Sequence, residues 1–235
     1  MGRLLIIILL SAIGISANAK GDWWIEAEDA SSSVTTQDGV TTIIAPKGLT
    51  LWNTNRMTGN TIIEYDARIV SDPQFRDDKG NIRVSDLNCF WMADKCGGYG
   101  GKFANNYALK MYYLGYGGNW NTTTRFRRYT GYAPSVEEEW LKPIILREYT
   151  DKEHLIKANH WYHIRLEAID GRVRYIIDGE CLVDYVDPKP LKSGFFGFRT
   201  TLAHAEMKNF RYSCTDPDHD GIVLKWIGGK GQGAV

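Results

Sequence analysis

Short β-type runs separated by tight turns fill the sequence after residue 20, and this pattern constrains the fold more than any other feature. No stretch there carries a long run of apolar residues at the 3.6-residue period of an amphipathic helix. Over residues 162–168 apolar and polar residues alternate, as they do in a half-buried strand. Only residues 135–159 are expected to contain a helical turn or two. Many strands at short spacing, without helices between them, predict a β-sandwich.

Two Asp-Gly pairs predict β-hairpins in the C-terminal third. Asp170-Gly171 and Asp178-Gly179 each stand between two β-rich runs. A two-residue type I′ turn requires positive φ at both central positions, which Asp tolerates and Gly adopts freely. The sequence therefore predicts three consecutive antiparallel strands here, with the residues on either side of each turn paired.

The N-terminus predicts export. Arg3 is followed by an apolar run over residues 4–15 and then by Ala17-Asn18-Ala19, a small-x-small cleavage pattern. A membrane anchor is the alternative, but about 20 apolar residues are needed to cross a bilayer and this run is shorter. We therefore expect a signal peptide at residues 1–19, one domain at residues 20–213, and a periplasmic or secreted protein with no membrane attachment after cleavage.

Charge and aromatic content narrow the class of partner. The sequence has 28 basic and 28 acidic residues and a formal net charge of +0, so it shows no electrostatic signature for nucleic acid or an anionic membrane. It also has 8 Trp, 13 Tyr and 8 Phe. Because each buried Tyr hydroxyl or Trp N–H requires a polar partner, one core does not readily hold them all, and a surplus remains for a binding face.

The four cysteines leave the redox state open. Cys89, Cys96, Cys181 and Cys214 allow three disulfide connectivities in an exported protein. Reduced, buried thiols are the alternative. The six residues between Cys89 and Cys96 do not match a zinc-binding spacing.

Two parts of the sequence resemble known families. The strand–Asp-Gly–strand pattern followed by SGFFGFRTTLAHAEMKNFRY resembles the closing strands of concanavalin A-like (galectin-like) jelly rolls. SDLNCFWMAD and YALKMYYLGYGGNWNTTTRFRRYTGY resemble a family of exported bacterial proteins found with machinery that degrades rhamnogalacturonan and other acidic glycans. The resemblance spans residues 23–212. It implies an all-β, two-sheet antiparallel jelly-roll sandwich whose partner is a carbohydrate, specifically an acidic oligosaccharide.

A segment near the middle of the chain combines side chains that suit an acidic sugar. Tyr112 and Tyr116 precede a turn containing Asn119, and Arg125 and Arg127 follow it. Aromatic rings stack on the C–H faces of sugars, amides reach pairs of hydroxyls, and Arg offers a two-pronged donor to a carboxylate. Alternation places Arg125 and Arg127 on one face of their strand. A solvated basic strand beside core tyrosines is the alternative.

Residues from three other strands or loops are predicted to border the same groove. Asn88, which alternatively caps a turn, lies on an earlier strand, Arg199 ends a later one, and His204 lies in the loop that follows. In an eliminating lyase a Tyr or His moves the proton while Arg neutralises the uronate carboxylate. The predicted catalytic residues are Tyr116, His204, Arg125 and Arg127, and the predicted substrate-binding residues are Asn88, Trp91, Tyr112, Asn119 and Arg199.

The acidic residues support hydrolysis only weakly. Jelly-roll glycosidases commonly carry an E-x-D-x-E pattern on one strand; Glu64 and Asp66 match its first two acids, but Arg68 occupies the third position. The predicted function is a lyase, or a hydrolase, acting on an acidic plant or algal oligosaccharide. The alternative is a non-catalytic, lectin-like carbohydrate-binding module.

Residues 214–235 are predicted to form an acidic, glycine-rich, disordered tail. Asp216, Asp218 and Asp220 match the opening of a calcium loop, but Ile227 stands where a bidentate Glu belongs. We therefore expect no metal and no cofactor, with a structural calcium ion at these aspartates as the alternative.

Overall fold

Thirteen strands form the framework of the chain in the computed structural model, which describes residues 22–98, 100–131, 143–216 and 221–226. Among these residues every strand pairing is antiparallel. The strands are β1 (Trp23–Ala27), β2 (Ser33–Gln37), β3 (Val40–Thr58), β4 (Thr61–Ile69), β5 (Leu87–Ala93), β6 (Lys110–Gly117), β7 (Thr123–Thr130), β8 (Ile145–Tyr149), β9 (Tyr162–Ile169), β10 (Arg172–Ile177), β11 (Glu180–Val186), β12 (Ser193–Asp216) and β13 (Gly221–Trp226).

The strands form two layers that share β3 and β12. The front sheet contains, in order, β1, the second half of β3, the first half of β12, and then β5, β6, β7 and β8. The back sheet contains β2, the first half of β3, the second half of β12, and then β4, β9, β10 and β11. This arrangement confirms the predicted two-sheet antiparallel sandwich.

Helical structure is confined to short segments in the described residues. Phe103–Ala108 and Lys152–His154 are 3-10 helices of six and three residues, and Gly118–Asn121, between β6 and β7, is a four-residue turn with positive φ at residues 119–121. Lys152–His154 lies inside the segment for which a helical turn was predicted.

Strand β12 crosses from the front sheet to the back sheet at a bulge. Its register with β3 shifts between Thr201 and Ala203, and Leu202 has a φ of 46°. Before the bulge β12 pairs with β5 on its other side, and after it with β4. Because a bulge bends a strand, outward side chains before and after Leu202 reach opposite surfaces of the sandwich.

The core lies between the two sheets, where strand alternation directs every second side chain. In β4 the odd-numbered residues from 61 to 69 are buried and the even-numbered ones are not. The prediction that Ile62 is buried is therefore wrong, because this half-buried side chain lies on the outer side of the strand. The other predicted core residues are buried, as expected: Leu109, Ile164, Leu166, Phe196 and Phe198.

Both predicted Asp-Gly hairpins are confirmed. Asp170 and Asp178 each have a φ of 48°, and the glycines that follow have φ of 81° and 86°. Ile177 pairs with Glu180 across the second turn. The sequence signal worked here because turn chemistry is local and does not depend on the remainder of the fold.

Replacing Gly179 with Ala is expected to lower the free energy of unfolding by about 1–2 kcal/mol, the usual cost of a left-handed backbone for a residue with a Cβ. A Cβ at this position would meet no atom within 4 Å, so the effect isolates backbone conformation. Urea denaturation measures it. Gly118→Ala is the control, since its φ lies outside the left-handed region and its Cβ would make only ordinary contacts at 3.8 Å. Equal stability of the two variants would contradict the turn assignment.

Of the two predictions about the chain ends, only the one for the C-terminus can be compared with the structure. Residues 1–19 lie outside the described residues. At the other end, β13 pairs with the last residues of β12, from Arg211 to Asp216. The boundary predicted at residue 213 therefore falls inside a paired strand, and this part of the predicted disordered tail belongs to the sheet.

All four cysteines are free thiols. Cys89 points into the core from β5, Cys96 is half-buried outside the front sheet, and Cys181 is exposed on β11. Reduced thiols, the alternative left open by the sequence, are thus what the structure shows. Within the described residues, no helix has the length and apolar character needed to cross a bilayer.

Candidate functional site

A continuous line of polar side chains crosses the outer face of the front sheet. Successive pairings bring one outward residue from each of the seven strands into register, and strands lie about 4.8 Å apart, so the line is about 29 Å long. We call it the polar row. Its members, from β1 to β8, are Glu26, Thr50, Arg199, Asn88, Gly115, Arg125 and Glu148.

The neighbouring outward row is largely aromatic and is covered. A covering segment, residues 94–98 and 100–108 between β5 and β6, packs over it and encloses a second hydrophobic cluster outside the sandwich. Phe103 lies 5.5 Å from Tyr113 and Tyr107 lies 5.5 Å from Tyr129, measured between ring centroids. The aromatic row, from β1 to β7, is Trp24, Trp52, Gly197, Phe90, Tyr113 and Arg127.

Arg199 anchors the covering segment to the polar row. Its Nη1 donates to the Gly101 carbonyl at 2.6 Å and to Thr50 Oγ1 at 3.2 Å, and its guanidinium lies over the Phe103 ring at 5.4 Å. Gly48 allows this approach, because a Cβ there would lie 2.6 Å from Arg199 Nη2. Arg199 is only 3% exposed. Arg199 therefore links the covering segment to β3 by hydrogen bonds, in addition to contributing a charge to the polar row.

Glu26 is held at the β1 end of the row. Its Oε2 accepts from Trp52 Nε1 at 2.9 Å, and its Oε1 accepts from the Gly100 N–H at 2.7 Å. Burial lowers the pKa of Arg199, while the nearby Tyr113, Asp86, Glu28 and Glu26 raise it. This carboxylate thus helps to balance a buried cation and secures the covering segment.

The middle of the row contains a polar cluster, in which the Tyr113 hydroxyl and the Asn88 amide lie over Gly115. A Cβ at Gly115 would lie 2.4 Å from the Tyr113 hydroxyl and 3.2 Å from Asn88 Oδ1, so the absence of a side chain makes room for both groups. Asn88 Nδ2 donates to Asp86 Oδ2 at 3.1 Å, and Asn88 Oδ1 has no partner among the described residues. Burial raises the pKa of Tyr113, and the Asp86 carboxylate adds to the shift. Tyr113 is therefore a neutral hydroxyl at physiological pH.

Arg127 borders the same cluster from β7. It pairs across the strands with Tyr113 and is half-buried. Its Nε is buried and has no hydrogen-bond partner in the described part of the chain. By contrast, Arg125 Nε donates to Glu148 Oε1 at 2.6 Å. Arg127 therefore keeps unused donor capacity at Nε.

Trp120 lies in the turn between β6 and β7. It is 48% exposed, and its ring lies 4.4 Å from the guanidinium of Arg83. Arg83 Nη2 in turn donates to Asp86 Oδ1 at 3.0 Å. An exposed indole held against Arg83 is suited to stacking on the C–H face of a sugar ring.

The structure brings four of the predicted site residues to one face. Asn88, Arg125 and Arg199 belong to the polar row, and Arg127 lies beside it. Asn119 is in the adjoining turn, where its Nδ2 donates to Thr122 Oγ1 at 3.1 Å. Whether these residues bind a ligand stays a prediction, but their predicted proximity agrees with the strand register.

Three predicted residues point the other way. Trp91, Tyr112 and Tyr116 face the interior of the sandwich and belong to its main core. The Tyr112 hydroxyl donates to the buried Asp187 at 2.8 Å, and burial raises the pKa of Tyr116, which lies against Tyr162. The prediction that they line the groove is therefore wrong, since alternation on β5 and β6 places Phe90 and Tyr113 outside instead.

His204 lies on the back sheet. It follows the bulge in β12, and its Nδ1 lies 2.9 Å from Asp72 Oδ2. The Arg residues of the polar row are on the opposite surface. The predicted grouping of His204 with Arg125 and Arg127 in one groove is thus wrong.

Sequence reasoning missed several residues of this face. Tyr113 was passed over for its neighbours Tyr112 and Tyr116, because β6 is buried on both faces and its sequence does not show which tyrosine points outward. Nothing local marks Asp86 or Arg83, because both precede β5 in an irregular segment. Trp120 was signalled by its place in a Gly-Asn turn, where a large aromatic residue has no core to fill.

The calcium prediction rests mostly outside the described residues. Asp218 and Asp220 lie there, and only the backbone of Asp216 is described, in β12. In the remainder of the described chain, no group of three or more His, Cys, Asp or Glu side chains is arranged to hold a metal ion.

The two-sheet architecture and its strand order define a galectin-like jelly-roll protein. Within that class, the chain belongs to the family described as "Domain of unknown function (DUF6250)", whose model matches residues 43–210. No curated protein matches the sequence.

Solved structures with the same fold include carbohydrate-binding domains. A Bacillus subtilis protein described as having a galectin-like fold has a TM-score of 0.59 at 15% identity, covering 81% of this chain and 88% of its own. Carbohydrate-binding module CBM66 from Bacillus subtilis has a TM-score of 0.54 at 14% identity, covering 82% and 95%. The exoplasmic/lumenal domain of VIP36, described with Ca²⁺ and mannose bound, has a TM-score of 0.54 at 11% identity, covering 93% and 95%. At these identities the likeness shows the fold alone.

Proposed function

We propose that the protein is a non-catalytic, lectin-like module that binds an acidic carbohydrate on the outer face of the front sheet. One observation carries the proposal. The accessible end of the polar row carries the partly exposed Arg125 and Glu148, with the half-buried Arg127 beside them and the exposed Trp120 ring in the adjoining turn. Carbohydrate-binding domains among the proteins of the same fold support it.

The chemistry of this face suits a sugar that carries a carboxylate. Arg127 Nε is buried without a partner among the described residues, which costs about 1–3 kcal/mol, and the half-buried Arg127 guanidinium is a donor for a carboxylate. The partly exposed Arg125 and Glu148 side chains offer hydrogen bonds to sugar hydroxyls. The Trp120 ring offers an apolar surface next to them. Together these groups match the hydroxyls, the charge and the C–H face of a uronate.

The arrangement favours binding over turnover. Tyr116 and His204, the groups expected to move a proton, lie in the core and on the back sheet. The row's two carboxylates, Glu26 and Glu148, stand six strand spacings apart, whereas glycosidase pairs lie about 5–9.5 Å apart. Burial and the Asp86 carboxylate raise the pKa of Tyr113, which opposes its use as a base.

The proposal extends to location and substrate source. The charged, apolar and small-residue pattern of residues 1–19 is that of a signal peptide, so we place the protein in the periplasm or outside the cell. The resemblance to exported bacterial proteins that accompany rhamnogalacturonan degradation supports a plant or algal acidic glycan as the ligand.

Binding to a panel of uronate-containing pectic and algal oligosaccharides, with neutral oligosaccharides beside them, tests the function. We expect affinity for uronate members of the panel, measured by titration calorimetry, and no unsaturated or shortened products by absorbance and chromatography. Failure to bind any glycan would refute the proposal. Release of unsaturated products would show instead that the protein is a lyase.

A further inference from the structure

We propose that the protein has a second ligand site, a cleft at one end of the sandwich that binds a small apolar anion such as a two-ring aromatic acid. We call it the end cleft. Its volume is about 380 Å³. Ligand sites in proteins are typically clefts of about 300–1,000 Å³ with mainly apolar walls and a few polar groups that orient the ligand. The end cleft has this size and this kind of wall.

The end cleft lies where three connections between strands meet. They are the β3–β4 turn, the β9–β10 turn and the β11–β12 loop, which contribute residues 58–60, 170–171 and 190–192 to its lining. The polar row crosses the outer face of the front sheet, whereas these connections close one end of the sandwich. The two sites have no residue in common, so ligand binding at one can be tested without the other.

Hydrogen bonds link each of the three connections to the other two. The pairs are the Gly59 N–H with the Lys192 carbonyl at 2.8 Å, the Asp187 N–H with the Gly171 carbonyl at 2.9 Å, and Asn60 with Asp170, which exchange two bonds at 2.9 and 3.0 Å. The mouth of the end cleft is therefore a fixed part of the fold, formed before any ligand binds.

The space arises because a small residue ends a row of large ones. The inward row of β9 contains Ile164, Leu166 and Ala168. The first two fill the core, whereas Ala168 contributes only a methyl group at the end of the strand. The half-buried Leu191 and the exposed Pro190 form the opposite, accessible wall. The end cleft thus offers an apolar surface to a ligand.

The inner end of the cleft does not favour a polar group. Tyr112, which is fully buried, lies there, and its hydroxyl donates to Asp187 at 2.8 Å and accepts from the Leu191 N–H at 3.1 Å. Because this hydroxyl is already hydrogen-bonded, a polar ligand group beside it would lose its bonds to water without replacement. The inner part of a ligand is therefore apolar, which a sugar ring with its hydroxyls is not.

A cation stands free at the rim. Lys192 is exposed and forms no ion pair with a described residue. The other two charged groups of the lining are already engaged, since Arg172 pairs with Asp184 at 2.5 Å and Asp170 accepts from Asn60. Lys192 is thus the rim charge left for a ligand, and it selects an anionic group.

Volume and charge together define the ligand. An engineered apolar cavity of about 150 Å³ binds benzene, so a cleft of about 380 Å³ has room for two rings. The rings lie against Ala168 and Leu191, and the acid group reaches Lys192. A carboxylate or a sulfonate on a two-ring body meets both requirements.

Two fluorescent dyes that differ in one group test the apolar space and the charge separately. Anilinonaphthalene sulfonate has an anionic group, and phenylnaphthylamine has the same rings without it. We expect the full chain to bind both dyes, the sulfonate several-fold more tightly, and naphthoate to displace them better than the neutral naphthamide. Equal affinities for the charged and neutral compounds would overturn selection of an anion. Failure to bind either dye would overturn the site.

Lys192→Met tests the charge at the rim. We expect affinity for the sulfonate dye to fall by about three- to fivefold, the size of one partly exposed ion pair, and affinity for the neutral dye to stay unchanged. Lys189→Met is the matched control, because Lys189 is exposed in the same loop but does not line the cleft. Equal losses in the two variants would assign the effect to general attraction and overturn the role of Lys192.

Ala168→Leu tests the apolar space. The larger side chain occupies the room that both dyes need, so we expect both affinities to fall by about tenfold or more. The melting temperature should stay the same or rise, because the added carbons enter an open cleft. Dye binding retained by the folded variant would place the dyes elsewhere and overturn the site. Uronate binding should be unchanged in Lys192→Met, and its loss there would contradict two separate sites.

Discussion

Replacing Arg127 with Ala is expected to weaken binding of an acidic oligosaccharide by roughly ten- to a hundredfold, the equivalent of one hydrogen-bonded charge. Arg127 is half-buried beside Tyr113 on the outer face of the front sheet, and its Nε has no partner among the described residues. Its removal therefore takes a carboxylate donor from the ligand without breaking an ion pair within that part of the protein. Titration calorimetry measures the loss, and urea denaturation is expected to show little change in the free energy of unfolding.

Arg211→Ala is the matched control. Arg211 is a half-exposed strand residue of the back sheet, where its Nε donates to Glu64 at 2.9 Å. Loss of this charge changes net charge as Arg127→Ala does, but on the opposite surface. We expect binding to be unaffected. If both variants weakened binding equally, general electrostatic attraction rather than a site on the front face would account for it.

Ligand charge provides the second half of this test. Wild-type protein is expected to prefer a uronate oligosaccharide over the neutral oligosaccharide of the same length, and Arg127→Ala to lose most of that preference. The difference arises because the Arg127 guanidinium offers its donors to a carboxylate that the neutral sugar lacks. Retention of the full preference in the variant would assign the carboxylate to another residue.

The fold was predictable because its signals are local and repeated. Alternation identified most strands, and the Asp-Gly pairs at residues 170–171 and 178–179 identified two hairpins in register. Each signal needs only the residues within one strand or turn. Ile62 shows the limit, because neighbouring isoleucines on β4 match either face until the pairing partners are known.

The positions of the site residues were predictable only in strands where polar and apolar residues alternate. In β7, Arg125 and Arg127 alternate with Phe126, so their common face could be inferred. In β6 both faces are buried, one by the sandwich core and the other by the covering segment. When a strand is apolar on both faces, the alternation of residue types does not show which face each residue occupies. The sequence therefore did not distinguish the orientations of Tyr112 and Tyr113.

His204 was misplaced for a different reason. It follows the Leu202 bulge, at which β12 leaves the front sheet for the back sheet. Arg199, only five residues earlier in the sequence, is therefore on the other surface of the molecule. The bulge depends on pairing with β3, β4 and β5 together, and its local sequence carries no distinctive mark.

Replacing Asp187 with Ala is expected to lower the free energy of unfolding by about 3 kcal/mol, since removing one partner of a buried pair leaves the other groups unsatisfied. The Asp187 side chain is 2% exposed. Its Oδ2 accepts from the Tyr112 hydroxyl at 2.8 Å and from Arg128 Nε at 2.5 Å, and its Oδ1 accepts from the Lys189 N–H at 2.9 Å. Tyr112, expected from the sequence to bind a sugar, thus stabilises the loop between β11 and β12.

The pH dependence of stability follows from the same contacts. Burial would raise the pKa of Asp187, but the hydrogen bonds from Arg128, Lys189 and Tyr112 prevail and lower it below its usual value. A carboxyl group with a lowered folded-state pKa contributes stability above its unfolded pKa, near 3.9, and loses it as pH falls through the folded value. Wild-type protein should therefore lose part of its stability in this acidic range, and Asp187→Ala should lose less.

Asp184→Ala, which removes only an exposed ion pair with Arg172 on the neighbouring strands, is the control and should change stability far less at neutral pH. If the two variants were equally stable, the Asp187 network would not hold the β11–β12 loop.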